Sequence, residues 1–390
     1  MKDINWQSDI RLMVEDLVRE RRRQKLLAEA SEIRKGTNNI GVSASEVSIS
    51  MDFSLKVKGW MELDGKRLEE SDVRAILAHN PAAICRFGGE FFLECNDCKA
   101  RDHFGIMPGD CPAGAVVCDG KETGKVDPNY PLMDLDEAIR IAVQLRSDDG
   151  IVALSGGVDS ALIARLADRE CVVVGIAGSH DLMRAREAAK EFGLTLHQHL
   201  IDPASIEEAL ALVLAVVPKK DPVNASIATT LYFVCQWAGL HGERRILAGQ
   251  GADELFGGYS RYLQTETLAA DLERDFLGLA RQLARDQAVA GMHGTCFSLP
   301  YMDCRVVAVA RAIAPEMLIR DGVRKRPLRT VAERYMPPAI AQYEKKAMQY
   351  GSGVMKEIQR LAARNGYKRS LQGYLLEICK RDGLEIDRLV

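Results

Sequence analysis

The sequence predicts an α/β protein in which a parallel sheet with a helical C-terminal part follows a smaller α+β domain. Three observations carry this. Beyond about residue 132, strand-like and helix-like segments alternate, the pattern of an open parallel sheet. Within that region the aliphatic run Ile151-Val-Ala-Leu154 is followed at once by Ser155-Gly156-Gly157 and then by apolar residues at helical spacing: a strand, a tight turn and a helix. Before about residue 127 the pattern differs. Val47, Ile49, Met51, Phe53, Leu55 and Val57 alternate with mostly polar neighbours, as in a half-buried strand.

With 390 residues, the chain has the length of two domains, here placed at 1–127 and 132–390. Its 47% hydrophobic and 27% charged residues are those of a globular protein with a full core. A net charge of −3 gives no reason to expect a nucleic-acid partner. No run of about 18 apolar residues occurs, so no membrane span is expected and the protein reads as cytoplasmic. Ten scattered cysteines then read as reduced thiols. Cys95, Cys98, Cys111 and Cys118 fall in one short segment, and the first pair has a common ligand spacing. They are candidate ligands for zinc or an iron–sulfur cluster, with buried free thiols as the alternative.

In chain order, about Ile10 to Ile33 reads as an amphipathic helix, and its basic run Arg19–Arg23 as a solvated face. A strand over Val47–Val57 leads to a turn at Asp64-Gly65. Glu70–His79 reads as a helix capped by Ser71, and Ile84–Cys95 as a hairpin turning at Gly88-Gly89. Ala115–Cys118 adds a strand, and Pro128 and Pro131 mark a linker. Then come a helix over Leu135–Leu145, the strand Ile151–Leu154, a helix over Ser160–Asp168, the strand Val172–Ile176, a helix over Leu182–Phe192 and the apolar segment Arg245–Ala248. From about Leu268, helical periodicity runs to the end, interrupted at Gly294–Pro300 and Tyr350–Gly353.

The junction at Ser155-Gly156-Gly157 suits an anion, because unpaired N–H groups and the positive end of a helix dipole point the same way. Asp159 lies inside it, and a carboxylate beside phosphates suits a bridging magnesium ion. A plain turn is the alternative for the glycines alone. Leu247-Ala-Gly-Gln-Gly-Ala-Asp-Glu-Leu-Phe-Gly-Gly-Tyr259 follows a second strand end. Its Asp253 is read as a second metal contact, with a helix cap as the alternative.

Ser155-Gly-Gly-Val-Asp-Ser160 resembles the pyrophosphate-binding loop of the N-type ATP pyrophosphatases, and the spacing of a Walker loop is absent. Gly249-Gln-Gly-Ala-Asp-Glu-Leu-Phe-Gly-Gly-Tyr259 is similar to the second signature of the asparagine synthetase family. Val174–Asp181, Leu299-Pro-Tyr-Met-Asp303 and Lys345–Gly353 are similar to three further family segments. The resemblance covers roughly residues 135 to 360. It implies a parallel-sheet PP-loop ATP pyrophosphatase domain that uses ATP and Mg2+. Leu154, Ile176 and Gly249 would lie near the adenine, and Ser155, Gly156, Gly157, Asp159 and Ser160 would hold phosphates. Asp159 and Asp253 would hold the metal, with Asp253 and Lys346 as catalytic groups and Gln250, Glu254 and Asp303 toward the substrate.

Gly89–Leu93 and Ala100–Ile106 resemble the end of the family's glutaminase domain, which implies an α+β domain related to the Ntn glutaminases. That domain's N-terminal cysteine has no counterpart, since position 2 is Lys and no cysteine precedes Cys85. Gln250, Cys296 and Ser298 stand where the family carries Glu, Glu and Arg, which changes the charges a pocket can pair. The expected activity is therefore amide formation through an adenylated carboxylate, with these three exchanges counting against aspartate as that carboxylate. The partners are a small-molecule carboxylate and a nitrogen donor: ammonia, a separate amidotransferase or an amine. A homodimer is allowed, not required. The competing readings are a tRNA- or sulfur-modifying PP-loop enzyme with a cysteine-bound metal, and a nucleotide-binding regulatory subunit without catalysis.

Overall fold

Two sheets organise the protein, and a computed structural model describes them over residues 53–344 and 347–384. The expected helix at Ile10–Ile33, its basic run, most of the strand from Val47 and Lys346 lie outside the described residues. The first sheet is antiparallel, in the order β2-β1-β3-β4-β5-β6: β1 Leu55–Leu63, β2 Lys66–Leu68, β3 Gly88–Cys95, β4 Cys98–Arg101, β5 Ala115–Cys118 and β6 Lys121–Lys125. Helix α1, Glu70–His79, follows β2. Its N-cap is Glu69 in a capping box with Asp72, so Ser71 lies inside the helix rather than capping it.

Gly88 and Gly89 do not turn the chain. Both lie within β3, which pairs with β1 along its whole length, Gly88 opposite Glu62 and Gly89 opposite Met61. A Cβ at Gly89 would overlap the Trp60 carbonyl, and one at Gly88 would overlap the Tyr130 hydroxyl and the Glu62 carboxylate. These glycines let neighbouring chain approach closely, which a strand requires as readily as a turn does. The actual turn is at Asn96-Asp97, with Asn96 left-handed at φ 49°.

The register also settles the cysteines. Cys95 is opposite Cys98, Cys98 is opposite Cys118, and Cys98 and Cys118 are bonded to each other. The expectation of reduced thiols is corrected for this pair: adjacent strands bring the two β-carbons together on one face. Cys111 packs instead with Phe92 and Met107. The four sulfurs do not form one ligand set, and among the described residues no group of three or more His, Cys, Asp or Glu is arranged for a metal ion.

The second sheet is parallel, in the order β11-β10-β7-β8-β9: β7 Ile151–Ala153, β8 Cys171–Gly175, β9 Leu196–Leu200, β10 Arg245–Leu247 and β11 Cys296–Ser298. Helices α2 Leu135–Gln144, α3 Val158–Ala167, α4 His180–Phe192, α5 Ile206–Val216, α6 Pro222–Leu240, α7 Ala252–Phe256, α8 Leu268–Gly291, α9 Cys304–Ala312 and α10 Arg326–Ala332 surround it. Strand residues alternate between two cores. Ile151, Val172, Val174, Ile246 and Phe297 join the core containing α5, α6 and α8, whereas Val152, Cys171, Val173 and Leu247 join the one containing α2, α3 and α4. A sheet covered on both faces explains the nearly unbroken apolar runs of its strands. The expected α/β architecture is thus observed, and no described helix is long and apolar enough to cross a membrane.

Buried charges join the sheets. Arg146 donates to Glu90 on β3 at 2.8 Å and to Asp303 at 2.9 Å, and Arg305 donates to Asp303 at 3.1 Å and to Glu62 on β1 at 2.6 Å. Tyr130 donates to Glu62 and lies under the Arg305 guanidinium. Burial opposes ionisation of Asp303, yet the two arginines hold its carboxyl below the usual range.

A pH dependence follows from the segment after β4. Asp102 is buried and accepts from the Ile106 and Met107 amides at 2.8 and 2.9 Å, while burial pushes its carboxyl up to about 7. Its folded pKa exceeds the unfolded value of about 3.9, so the native state holds the extra proton between the two. This contribution to stability is full below the unfolded pKa and is lost as pH rises through about 7. Denaturant midpoints measured from pH 5 to pH 8 should fall more steeply for the wild type than for Asp102→Asn, and parallel slopes would contradict the assignment.

Candidate functional site

The carboxyl ends of β7, β8 and β10 open on one side of the parallel sheet, where such folds place their ligands. After β7, Leu154 is buried and its N–H still pairs with the Val172 carbonyl at 2.9 Å, so the sheet runs to the edge of the loop. Gly156 then turns at φ 74° against the start of α4, where a Cβ would lie 2.5 Å from the Arg184 carbonyl carbon. Helix α3 begins at Val158 with Gly157 as its N-cap and no side-chain cap, which leaves its first N–H groups to a ligand. Ser160 Oγ receives the Ser155 amide at 3.1 Å and lies 3.0 Å from the Ser155 hydroxyl, fixing the loop's curvature.

The second loop lies against the first. A Cβ at Gly249 would be 3.0 Å from the Cβ of Asp159. Gly251, at φ 89°, is the N-cap of α7, so Asp253 sits in the first turn and is not the cap. Its carboxylate is used elsewhere: Lys325 Nζ is 2.7 Å from Asp253 Oδ1 and 2.7 Å from both oxygens of Asp159. Burial works against the ammonium, but the two carboxylates hold Lys325 above its ordinary value. Lys325 reaches them from the N-cap of α10 in a left-handed conformation, φ 57°, that is costly for a side chain of this kind. Gly258 makes room, since a Cβ there would overlap both Asp253 Oδ1 and Lys325 Cε. The second of the paired glycines after Phe256 therefore serves a lysine 67 residues further along.

Other cationic groups surround this point. Arg324 donates to the Gly258 carbonyl at 2.5 Å. Arg329 donates to the carbonyls of Ala341 at 2.7 Å and Tyr343 at 3.1 Å, holding the turn that precedes Lys345 and Lys346. Arg184 lies over the Tyr343 ring, 3.5 Å from its centroid, and Tyr343 meets His180. Ile176 donates its N–H to the Ser352 carbonyl at 2.9 Å, which brings the loop after β8 to the glycines near Gly353.

The expected substrate groups separate. Gln250 donates to Asp286 at 3.2 Å, and Asp286 pairs with Arg285 at 2.7 Å. Glu254 is buried, accepts from Tyr259 and from Gln282 at 2.8 Å, and is pushed up by burial and by the Asp253 charge. Asp303 lies instead in the inter-sheet network, where it also caps α9 through the Arg305 amide at 3.0 Å. Its carboxylate accepts from the Arg146 and Arg305 guanidinium groups and from the Arg305 amide. Ser298 likewise faces Glu90, and Cys296 packs toward Phe92 and Met107.

Lys325, Arg329, Tyr301 and Glu90 are absent from the expected site residues. Lys325 lies in the basic run Arg324-Lys325-Arg326, which alone reads as a solvated face. The left-handed Asp321-Gly322 turn before it and Pro327 after it mark a helix entry, the signal that distinguishes this run from others.

The sequence profile described as asparagine synthase matches residues 134–299 and 279–375, more than half of the chain. A putative glutamine-hydrolysing asparagine synthetase from Methanocaldococcus jannaschii is 31% identical over 293 residues, covering 63% of this chain and 54% of that one. Asparagine synthetase B from Escherichia coli is 27% identical over 227 residues, 52% of this chain and 41% of that one. The chain spans about half the length, or less, of the curated relatives it matches. Among solved structures, an NH3-dependent NAD synthetase from Campylobacter jejuni covers 66% of this chain and 99% of its own at 13% identity, with a TM-score of 0.30.

Removing Lys325 leaves two carboxylates facing each other. Lys325→Met should cost about 3–5 kcal/mol at neutral pH, the usual range for breaking a buried ion pair. Chemical denaturation of the wild type and the variant tests this, and a loss below about 1 kcal/mol, the range of an exposed pair, would refute it.

Proposed function

The chain belongs to the asparagine synthase family, and from that premise we propose that it adenylates a small-molecule carboxylate with ATP and passes the acyl group to a nitrogen nucleophile. The observation that carries this reading is the meeting of Asp159 and Asp253, from two different strand ends, on the one ammonium of Lys325. Three charges so placed at an uncapped helix N-terminus suit a triphosphate and its cation far better than they suit a turn.

In this reading the N–H groups at Gly156, Gly157 and the start of α3, with the Ser155 and Ser160 hydroxyls, hold the β- and γ-phosphates. Leu154, Ile176 and Gly249 flank the adenine. Mg2+ takes one or two carboxylates together with phosphate oxygens, and Asp159 and Asp253, both within 2.7 Å of a single nitrogen, fit that demand. An ion held by Asp159 and Asp253 would neutralise charge on the leaving pyrophosphate. Lys325 balances the remaining negative charge. A substrate carboxylate oxygen bonds to the α-phosphorus as the bond to the bridging oxygen breaks. The nitrogen nucleophile then bonds to the acyl carbon, AMP leaves, and the nitrogen loses a proton. Lys346 is assigned to the charge that develops in these steps. The nitrogen comes from ammonia, a separate amidotransferase or an amine. Gln250 and Glu254 are assigned to the substrate side.

A panel of carboxylic acids in ATP–pyrophosphate exchange, with ammonia then added to detect an amide, tests the proposal. Exchange should depend on one acid class and disappear in Asp159→Ala. Near wild-type turnover in that variant would remove the metal and phosphate role given to Asp159.

A further inference from the structure

We infer that Glu90, on the antiparallel sheet, is a positioning residue for the phosphate loop, so that this sheet forms part of the ATP-handling apparatus. Glu90 is 1% exposed and its carboxylate accepts four donors. Oε1 takes the Leu299 amide at 2.7 Å and Arg146 Nε at 2.8 Å, and Oε2 takes Trp60 Nε1 at 3.0 Å and the Ser298 hydroxyl. Two of these donors come from the end of β11 and the residue after it. The chain that continues from there touches both loops of the candidate site. Tyr301, fully buried, donates its hydroxyl to the Asp159 carbonyl at 2.9 Å. Met302 lies behind Gly251, where a Cβ would be 2.8 Å from its sulfur.

Strand β11 is an edge strand of three residues paired to β10, and on its open edge the Gln287 side chain donates to the Phe297 carbonyl at 2.8 Å and accepts the Phe297 amide at 3.0 Å. Past the strand end, where neither the ladder nor that clamp reaches, Glu90 supplies a charge-assisted bond to the Leu299 amide. Burial disfavours the charged form of Glu90, yet Arg146 and the hydrogen bonds hold its carboxyl below the usual range, so it stays an acceptor. Leu299 is thereby fixed, Pro300 stiffens the next step, and Tyr301 meets Asp159 from a set direction. Ser298, which stands where the family carries arginine, is suited to this contact. An arginine there would bring a second guanidinium beside Arg146 onto one carboxylate.

The inference rests on the ATP-site reading of the Asp159 loop, and its test is chosen to be separable from that reading. Hydrogen exchange of the amides of residues 155–160 is measured in Glu90→Gln, Tyr301→Phe and the double variant, beside the ATP–pyrophosphate exchange rate and the KM for ATP. Each single variant should speed loop exchange and slow catalysis by about tenfold or more, chiefly in kcat. The double variant should be no worse than the poorer single one, because both act through one segment. Ser298→Ala keeps the Glu90–Arg146 pair and should show the same direction more weakly, with Ser298→Thr restoring the wild-type values. Additive effects in the double variant, or unaltered loop exchange in the folded Ser298→Ala and Tyr301→Phe proteins, overturn the inference. Failure of every acid to support pyrophosphate exchange in the wild type would overturn the proposed function instead, while loop exchange still decides the role of Glu90.

Discussion

One buried ammonium fixes the geometry of the candidate site. Asp159 and Asp253 arrive on separate strand ends, and two like charges meeting at one point repel. Lys325 converts that repulsion into mutual attachment. Several features become intelligible as its requirements: the glycine at 258, the left-handed backbone at 325, and the Arg324 bond to the Gly258 carbonyl that anchors the approach. A buried ion cluster of this type is a weak source of net stability. Its value is to hold two loops at a set separation while leaving charge directed at the space before them.

Much of this was legible in the sequence, and for a definite reason. The loops at Ser155–Ser160 and Gly249–Tyr259 are continuous stretches in which each residue type answers to its immediate neighbours, so strand, turn and helix can be read in order. What was not legible depends on residues far apart in the chain. Glu90 meets Ser298 across 208 positions, and nothing local marks either as a partner. Lys325 looks like any basic run until its backbone conformation is known. Asp303 keeps the family's spacing but serves the joint between the sheets. Gly88-Gly89 fails as a turn because glycine answers two needs, reversal and close approach, which only the neighbouring strand distinguishes. The cysteine spacing suggested ligands, whereas register across three strands decides which sulfurs meet.

The joint between the sheets departs from what a two-module organisation would suggest. Independent modules meet through polar surfaces and move against one another. Here Glu62, Glu90, Asp303, Arg146 and Arg305 are all buried in a continuous set of ion pairs, and separating the sheets would expose or unpair each of them. The described residues behave accordingly as one compact unit. The antiparallel sheet is thereby bound to the parallel sheet that carries the Ser155–Ser160 loop.

The order β11-β10-β7-β8-β9 bears on how the protein comes into being. The three neighbouring strands at whose ends the candidate site opens, β7, β8 and β10, begin at Ile151, Cys171 and Arg245, and the lysine that joins its two loops is at 325. Contacts of such long sequence separation form late, because loop closure must precede the gain from pairing. During synthesis the glycine loop at 155–157 leaves the ribosome long before Lys325 exists, so Asp159 and Asp253 spend that interval without their shared partner. A partly made chain is then an unfinished frame with two exposed acidic loops, and completion of the site coincides with completion of the fold.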